Sequence, residues 1–575
     1  MEIPEEPAAD IDEAAVVSAA ERMLRAWRRH GVEYVFSNLG TDHAPLLEAM
    51  ARLRNQGDAD AMPEVVVCPH EFVAMSAAHG YAAVSSDPQV VLVHVDVGTQ
   101  NLGAAIHNAH RAKVPVFVAC GLAPVSEDRY LGARNHFVHY HQNVFDQTGI
   151  VREYCRWTEE YRPPADPAEQ VVRGLERAQD TPQGPVYLTA TREALEARFR
   201  PDELGSEREV TIPDPPGPSD ESLATLTEVV DAADAPVVIT GGSCDPDALT
   251  AFAERTGAGI VEHASTRVGF PRDHPNHLGF DPSAVFETTD LLLLAGVDIP
   301  WIPKHGEPAD DTLVVQVDTE PTKRTFPVWN FRVDYRVAAD PSLTFARLAE
   351  TAAGGPELSE QFVQFTEERQ RQQAAILKSH RDANALTPEV ATDVLNSALD
   401  ESTIVVEDAV TSMAAIRNYL SVRPGVGHLS KGGAGLGWAG GAAVGAKLAS
   451  PDSRVLSIVG DGSYLFTHPA VSAWLSAAAD APTLTVIYNN GGWNAVEKAT
   501  LSQYPDGVVG TEGLDERTFD PAPNLTAAAK TVESYTNTVA TETELRDALG
   551  AAIEAVDGGI PAVLDIRLDS ASHHS

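Results

Sequence analysis

The sequence is short of cations. Lys plus Arg number 42 against 83 Asp plus Glu, a formal net charge of −41 at pH 7. So acidic a chain repels the phosphate backbone, which argues against a nucleic-acid partner. Long apolar runs are also missing. No stretch reaches the roughly 20 residues that span a bilayer, and the opening Met1-Glu-Ile-Pro-Glu-Glu6 has no basic segment followed by an apolar one. No membrane partner is expected. Cysteine is scarce: Cys68, Cys120, Cys155 and Cys244 are far apart, with no Cys-x-x-Cys pair. They fit neither a zinc site nor a disulfide framework, so a reducing cytoplasm is the expected compartment. The acidic residues are spread along the whole chain rather than gathered in a tail. One reading is a generally solvated surface. The favoured one is adaptation to a salt-rich (halophilic) cytoplasm, where 1 M salt screens self-repulsion within about 3 Å.

What is present is core-forming material. At 575 residues and 43% hydrophobic, the chain exceeds what one core can organise. Apolar, β-branched runs alternate with helical stretches, the pattern of parallel α/β domains. The fold class expected is α/β, with three consecutive parallel-sheet domains over 11–195, 221–355 and 385–572. Strands are expected at 33–37, 65–68, 90–95, 114–120 and 185–189 in the first block. The second block offers 236–240, 260–262, 290–295 and 312–317, and the third 403–406, 454–459 and 483–488. The linker Asp214-Pro-Pro-Gly-Pro-Ser-Asp220 separates the first two blocks. A charged helical connector over 358–384 separates the last two.

The third block carries the chemistry. After the strand at 454–459 comes Gly460-Asp461-Gly462-Ser463, then a helix near 469–479, the strand at 483–488, and Asn489-Asn490-Gly491-Gly492. A right-handed βαβ crossover puts Asp461 and Asn490 at the carboxyl ends of nearby parallel strands, where open α/β sheets bind ligands. A carboxylate and an amide oxygen suit Mg²⁺, which completes its octahedron with waters and substrate phosphates. Gly460 and Gly462 allow a close backbone approach, and the Gly492 carbonyl is read as free to be a third ligand. The glycine-rich Gly432-Gly-Ala-Gly-Leu-Gly-Trp-Ala-Gly-Gly441 is not a P-loop, because no Gly-Lys-Ser/Thr follows. A dinucleotide site is disfavoured by its glycine spacing and by the lack of a clear strand leading into it.

The stretch from Gly460-Asp461-Gly462 to Asn489-Asn490 resembles the thiamine diphosphate signature of the acetolactate synthase, benzoylformate decarboxylase and pyruvate decarboxylase superfamily. The resemblance covers nearly the whole chain and implies pyrimidine-binding, central and diphosphate-binding domains in that order. It implies that Asp461, Asn490 and the Gly492 carbonyl bind Mg²⁺, with Gly462 and Ser463 beside the diphosphate and Thr411 donating to it. Leu436 would bend the cofactor and the Ala434 carbonyl would accept from its amino group. In the first block, His70-Glu71 through Ala78-His-Gly80-Tyr81 is similar to the family's catalytic glutamate helix. Glu71 would then hydrogen-bond the aminopyrimidine of a cofactor held by another subunit, which implies a homo-oligomer, dimer or tetramer.

Loss of CO₂ from a 2-oxo acid leaves an electron pair that takes a proton, giving an aldehyde, or a second carbonyl compound, giving a carbon–carbon bond. Histidine is the natural proton donor near neutral pH. His94, in His94-Val-Asp-Val-Gly98-Thr99-Gln-Asn101, resembles the catalytic histidine of benzoylformate decarboxylase, and His305 resembles its second one. Thr41 stands where that enzyme carries a substrate-binding serine, and His43 competes for the role. Acetolactate synthases share the stretch Asp146-Gln-Thr-Gly-Ile-Val151. The segment Ala295-Gly-Val-Asp298-Ile-Pro-Trp301 lacks their Phe-Asp-Asp-Arg run, which argues against FAD. The expected activity is a 2-oxo acid decarboxylase with carboligase capacity. The alternatives are an acetolactate-synthase-like ligase, with or without a small regulatory subunit, and a non-catalytic cofactor sensor.

Overall fold

The computed structural model describes residues 16–200, 204, 208–354 and 358–569. The expected domain limits at 11, 355 and 572, and the opening Met1–Glu6, lie outside the described residues. The three blocks appear as three parallel sheets, and the chain divides into two compact units, the first ending at Pro213 and the second beginning at Asp214.

The first unit holds β1 (Tyr34–Ser37), β2 (Glu64–Val67), β3 (Gln89–Val93), β4 (Val116–Leu122), β5 (Trp157–Glu160) and β6 (Val186–Thr191), in the order β2-β1-β3-β4-β6-β5. All neighbours are parallel. β3 and β6 are buried along their whole length, which is why they read as continuous apolar runs. Helix α1 (Ala44–Asn55) follows β1, α2 (Glu71–Ser85) follows β2, and α3 (Val95–Ala112) follows β3. Residues 94 and 95 were expected to end β3. Instead His94 caps α3, which starts at Val95 and is broken by Gly103 at φ 41°.

In the second unit the middle sheet runs β9 (His277–Gly279), β8 (Gly259–Glu262), β7 (Pro236–Thr240), β10 (Leu291–Ala295), β11 (Leu313–Asp318) and β12 (Tyr335–Ala338), all parallel. The connector is α4 (Glu360–Asp382). The last sheet runs β14 (Gly425–Ser430), β13 (Ile404–Asp408), β15 (Val455–Gly460), β16 (Leu484–Asn489), β18 (Ala562–Arg567) and β17 (Tyr535–Val539), again parallel. Strand β14 corrects one expectation, since it leads straight into the glycine-rich segment, which ends in helix α5 (Trp438–Ala449). Its two glycines and one histidine hide it from an apolar-run reading.

The second and third blocks share one unit for a physical reason. The short strand Arg267–Val268 of the middle block pairs antiparallel with β14. Beside it, Glu262 meets His277 at 3.2 Å and Arg272 at 3.5 Å, and Arg272 reaches His428 of β14 at 3.2 Å. His428 in turn meets Glu407 of β13 at 3.3 Å. Buried charges need such partners.

No helix among the described residues is long and apolar enough to cross a membrane. The four cysteines are free, and burial pushes the thiols of Cys68, Cys120 and Cys155 up to about 12, which keeps them as inert thiols.

At the carboxyl ends of β10 and β11, Lys323 is buried and grips Asp298 at 2.6 Å and Asp318 at 2.5 Å. Lys323→Ala leaves both carboxylates without their cation. A loss of about 3–5 kcal/mol is expected, the usual result of removing one partner of a buried ion pair. The midpoint of chemical unfolding measures it, and an unchanged midpoint contradicts the pairing.

Candidate active site

In the second unit, Asp461 sits just past β15 as the first residue of the short helix α6 (Asp461–Phe466), and Asn490 sits just past β16. Both strands point the same way, so their ends share the carboxyl edge of the sheet. Asp461 is buried and accepts from three backbone N–H groups: Gly462 at 2.7 Å, Gly491 at 2.8 Å and Gly492 at 2.9 Å. Burial pushes its pKa up, and these N–H groups offset only part of that rise.

The turn that delivers two of those donors needs glycine. Gly491 has φ 83° and Gly492 φ 152°, and a Cβ on Gly492 would overlap the Arg517 carbonyl. Gly462 is required by packing, since a Cβ there would run into the Trp493 ring. Gly460 is not crowded: only Ala409 Cα comes within 4.0 Å of a Cβ built there. Ser463 is buried in the first turn of α6.

Asn490 donates from Nδ2 to Thr411 Oγ1 at 3.1 Å, while its Oδ1 is buried with no hydrogen-bond partner. A buried acceptor with no donor is unusual, and a hard cation beside the Asp461 carboxylate would satisfy it. The residues present therefore fit an oxygen-coordinated divalent ion. The Gly492 carbonyl is not free, contrary to expectation: it accepts from Asn494 N–H at 3.0 Å. A carbonyl has a second lone pair, so one ligand position remains. Thr411 lies in a 3₁₀ turn after β13, and Val410 beside it is exposed. Asp408 at the end of β13 pairs with Lys431 and accepts from Gly437 N–H at 2.8 Å. It thus ties down the glycine-rich segment, where Leu436 is half-buried and Ala434 exposed.

In the first unit, the carboxyl ends of β1, β2 and β3 lead into three polar groups. After β2, Glu71 opens α2 and is buried; its Oε2 accepts from Asn101 at 3.0 Å. After β3, the His94 Nδ1 lies 2.5 Å from Asp42 Oδ1, and the Nε2 lies 2.6 Å from the Gln142 side-chain amide. After β1, Asp42 and His43 are buried while Thr41 is exposed. His43 Nδ1 accepts from Gly40 N–H at 3.0 Å, which leaves Nε2 to donate to the Val93 carbonyl at 3.1 Å. Both ring nitrogens are used by backbone, and burial holds its pKa down. His43 is therefore a structural residue, not a competitor of Thr41.

His94 differs. Burial pulls its pKa down, but the hydrogen bond and charge of Asp42, with Asp96 and Glu71, outweigh that and leave it raised. Asp42 shows the complement: burial pushes it up, and His94, His43 and the Val95 N–H bring it below the usual carboxylate range. Val95 itself has φ 32°, a strained conformation for a β-branched residue. Its N–H donates to Asp42 Oδ2 at 3.2 Å.

His305 ends an exposed 3₁₀ turn, Pro303–His305, and no described contact joins it to Asp461 or Asn490. Asp42, Asn101 and Gln142 were not singled out from the sequence. Asp42 had a signal, an acid between two marked residues in a strand-to-helix turn. Gln142 had none.

The Thiamine pyrophosphate enzyme, N-terminal TPP binding domain, matches residues 17–150. The central domain of the same family matches 223–348 and the C-terminal TPP binding domain 409–566. Benzoylformate decarboxylase of Pseudomonas aeruginosa is 25% identical over 94% of this chain and 97% of its own length. Sulfoacetaldehyde acetyltransferase of Rhodobacter capsulatus is 25% identical over 86% of each. Acetolactate synthase large subunit of Parasynechococcus marenigrum is 24% identical over 88% of this chain and 81% of its own. Among solved structures, benzoylformate decarboxylase of Polynucleobacter necessarius has the same fold, with a TM-score of 0.79 at 19% identity over 96% and 98% of the two chains. The 4-hydroxybenzoylformate decarboxylase of Rhodococcus jostii gives 0.78 at 20% over 96% and 99%. With three consecutive domain matches in the family's order, this chain belongs to the thiamine pyrophosphate enzyme family.

Proposed function

We propose that this enzyme decarboxylates a 2-oxo acid with thiamine diphosphate and Mg²⁺ and releases an aldehyde, with carboligation as a side outcome. The observation that carries the reading is a histidine with a raised pKa at the same sheet edge as the activating acid: His94, held by Asp42, near Glu71. When bound, thiamine diphosphate supplies a nucleophilic carbon and accepts the electron pair released with CO₂. Asp461, Asn490 and the second lone pair of the Gly492 carbonyl hold Mg²⁺, and the Thr411 hydroxyl donates to the diphosphate beside Gly462 and Ser463. Leu436 and the Ala434 carbonyl fix the cofactor's bend and amino group. Glu71 holds the proton at the pyrimidine nitrogen, with Asn101 steering its carboxylate. Thr41 orients the substrate, and His94 delivers the proton to the carbon that lost CO₂. His305 lends weaker support as a second proton carrier, because it is exposed. The working form is a homo-oligomer, a dimer or tetramer.

Asp461→Ala should abolish Mg²⁺-dependent binding of thiamine diphosphate in calorimetry, and undiminished binding contradicts the metal site. Glu71→Gln should retain cofactor affinity yet stop exchange of the cofactor's C2 proton, followed by NMR; normal exchange removes Glu71 from activation. His94→Ala should slow aldehyde release by roughly 10²–10⁴, the usual worth of a positioned acid. The rate acts through protonated His94, whose pKa is raised, so it should fall only as pH climbs past the ordinary imidazole range near 6.5. A screen of 2-oxo acids by CO₂ release, with product identification, tests the whole reading. Acetolactate accumulating in place of aldehyde favours the ligase instead.

A further inference from the structure

The proposed proton donor has a partner that no family resemblance pointed to. Asp42 sits 52 residues from His94 in sequence, yet its two oxygens divide between the His94 ring and the next backbone N–H, at 2.5 and 3.2 Å. The surrounding chain is cut to fit this pair. A Cβ on Gly40 would overlap both His94 Nδ1 and Asp42 Oδ1, and a Cβ on Gly121, in β4, would overlap Asp42 Oδ2. Neither glycine has a positive φ. Space rather than backbone conformation therefore selects them, and the space is filled by the Asp42–His94 contact. Strained Val95 keeps its unfavourable φ because its N–H is held by the same carboxylate.

A carboxylate against Nδ1 fixes the tautomer. Ionised Asp42 only accepts, so Nδ1 carries its proton and Nε2 becomes the nitrogen that gains or loses one. Nε2 faces Gln142, whose amide serves either state: it donates N–H to the bare nitrogen, or turns its oxygen to accept from the protonated one. We propose that Asp42 is the positioning residue of an Asp42–His94 pair that presents only Nε2 to the reacting carbon, and that Gln142 caps Nε2 until substrate displaces it. The step balances: the Nε2–H bond breaks as the new C–H bond forms, Asp42 stays ionised, and solvent returns the proton to Nε2. This rests on the proposed function only for the identity of the reacting carbon.

The charged and titratable groups facing His94 are Asp42 and His43 after β1, Glu71 at the start of α2, Asp96 in its own turn, and His139 in the short helix Val138–His141. Among these, Asp42 is the group in direct contact with the ring, so its charge should govern the titration.

Exchange of the imidazole carbon-bound proton for deuterium, read peptide by peptide by mass spectrometry across pH, gives the pKa of each histidine without cofactor or substrate. In the wild type, His94 should titrate above the ordinary 6.5, and in Asp42→Asn it should drop below its wild-type value. A wild-type His94 at or below 6.5, or an Asp42→Asn value equal to the wild type, overturns the pair. The wild-type arm decides even where the variant folds poorly. With turnover as the readout, Asp42→Asn should lose about 10- to 100-fold in kcat, by analogy with the loss of carboxylates that orient metal-bound histidines, and its alkaline limb should move to lower pH. Asp42→Asn combined with His94→Ala should be no slower than His94→Ala alone, because Asp42 acts through the ring. Losses that multiply overturn the proposal. A wild type that turns over no 2-oxo acid sinks the proposed function, and the titration then judges the pair by itself.

Discussion

Three backbone N–H groups converge on the Asp461 carboxylate, one from its own helix and two from the turn after the neighbouring strand. That convergence joins the ends of β15 and β16, and much of the second unit's polar site follows from it. With Gly491 and Gly492 held by Asp461, Asn490 has little freedom: its amide nitrogen meets Thr411 and its oxygen is left buried without a donor. The Gly492 carbonyl is turned onto Asn494. The arrangement is electrostatically unfinished, with a buried acid whose pKa is pushed upward beside an orphaned amide oxygen. A cation resolves both at once, and this is the physical case for a metal.

The first unit solves a different problem, holding buried ionisable groups through side-chain and backbone partners. Glu71 is steered by an amide, His94 by a carboxylate, and His43 by two backbone groups. Two histidines within one small cluster thus take opposite electrostatic roles. Burial holds the His43 pKa down despite the Val93 carbonyl at its Nε2, while a shared carboxylate favours the charged form of His94.

The sequence made the buried strands legible, because parallel strands covered on both faces are continuous apolar runs; the strand expected at 236–240 is the strand found. Polar strands escaped, whereas the valine-rich edge strand β2 was expected at 65–68. Trp157–Glu160 and Tyr535–Val539 carry charged or polar residues and lie at sheet edges, and four of the six residues of β14 are glycine, histidine or serine. The same division applies to the sites. Asp461 and Asn490 follow two consecutive strands directly, so chain-local order places them at the strand ends, whereas Glu71, the first residue of its helix, stood out only through the family resemblance. The Asp42–His94 contact depends on packing between β1 and β3, and Gln142 comes from an irregular stretch without periodicity. The occupied Gly492 carbonyl was missed because backbone hydrogen bonds inside a turn leave no mark on residue type.

Strand Arg267–Val268 has a consequence for how the protein can be divided. It belongs by sequence to the middle block, yet it hydrogen-bonds to the outer side of β14 in the last sheet. A fragment beginning after the connector helix would present that side bare, with unpaired amides available to any extended chain nearby. Such a truncated piece is expected to self-associate through its rim, even though every strand of its own sheet is intact.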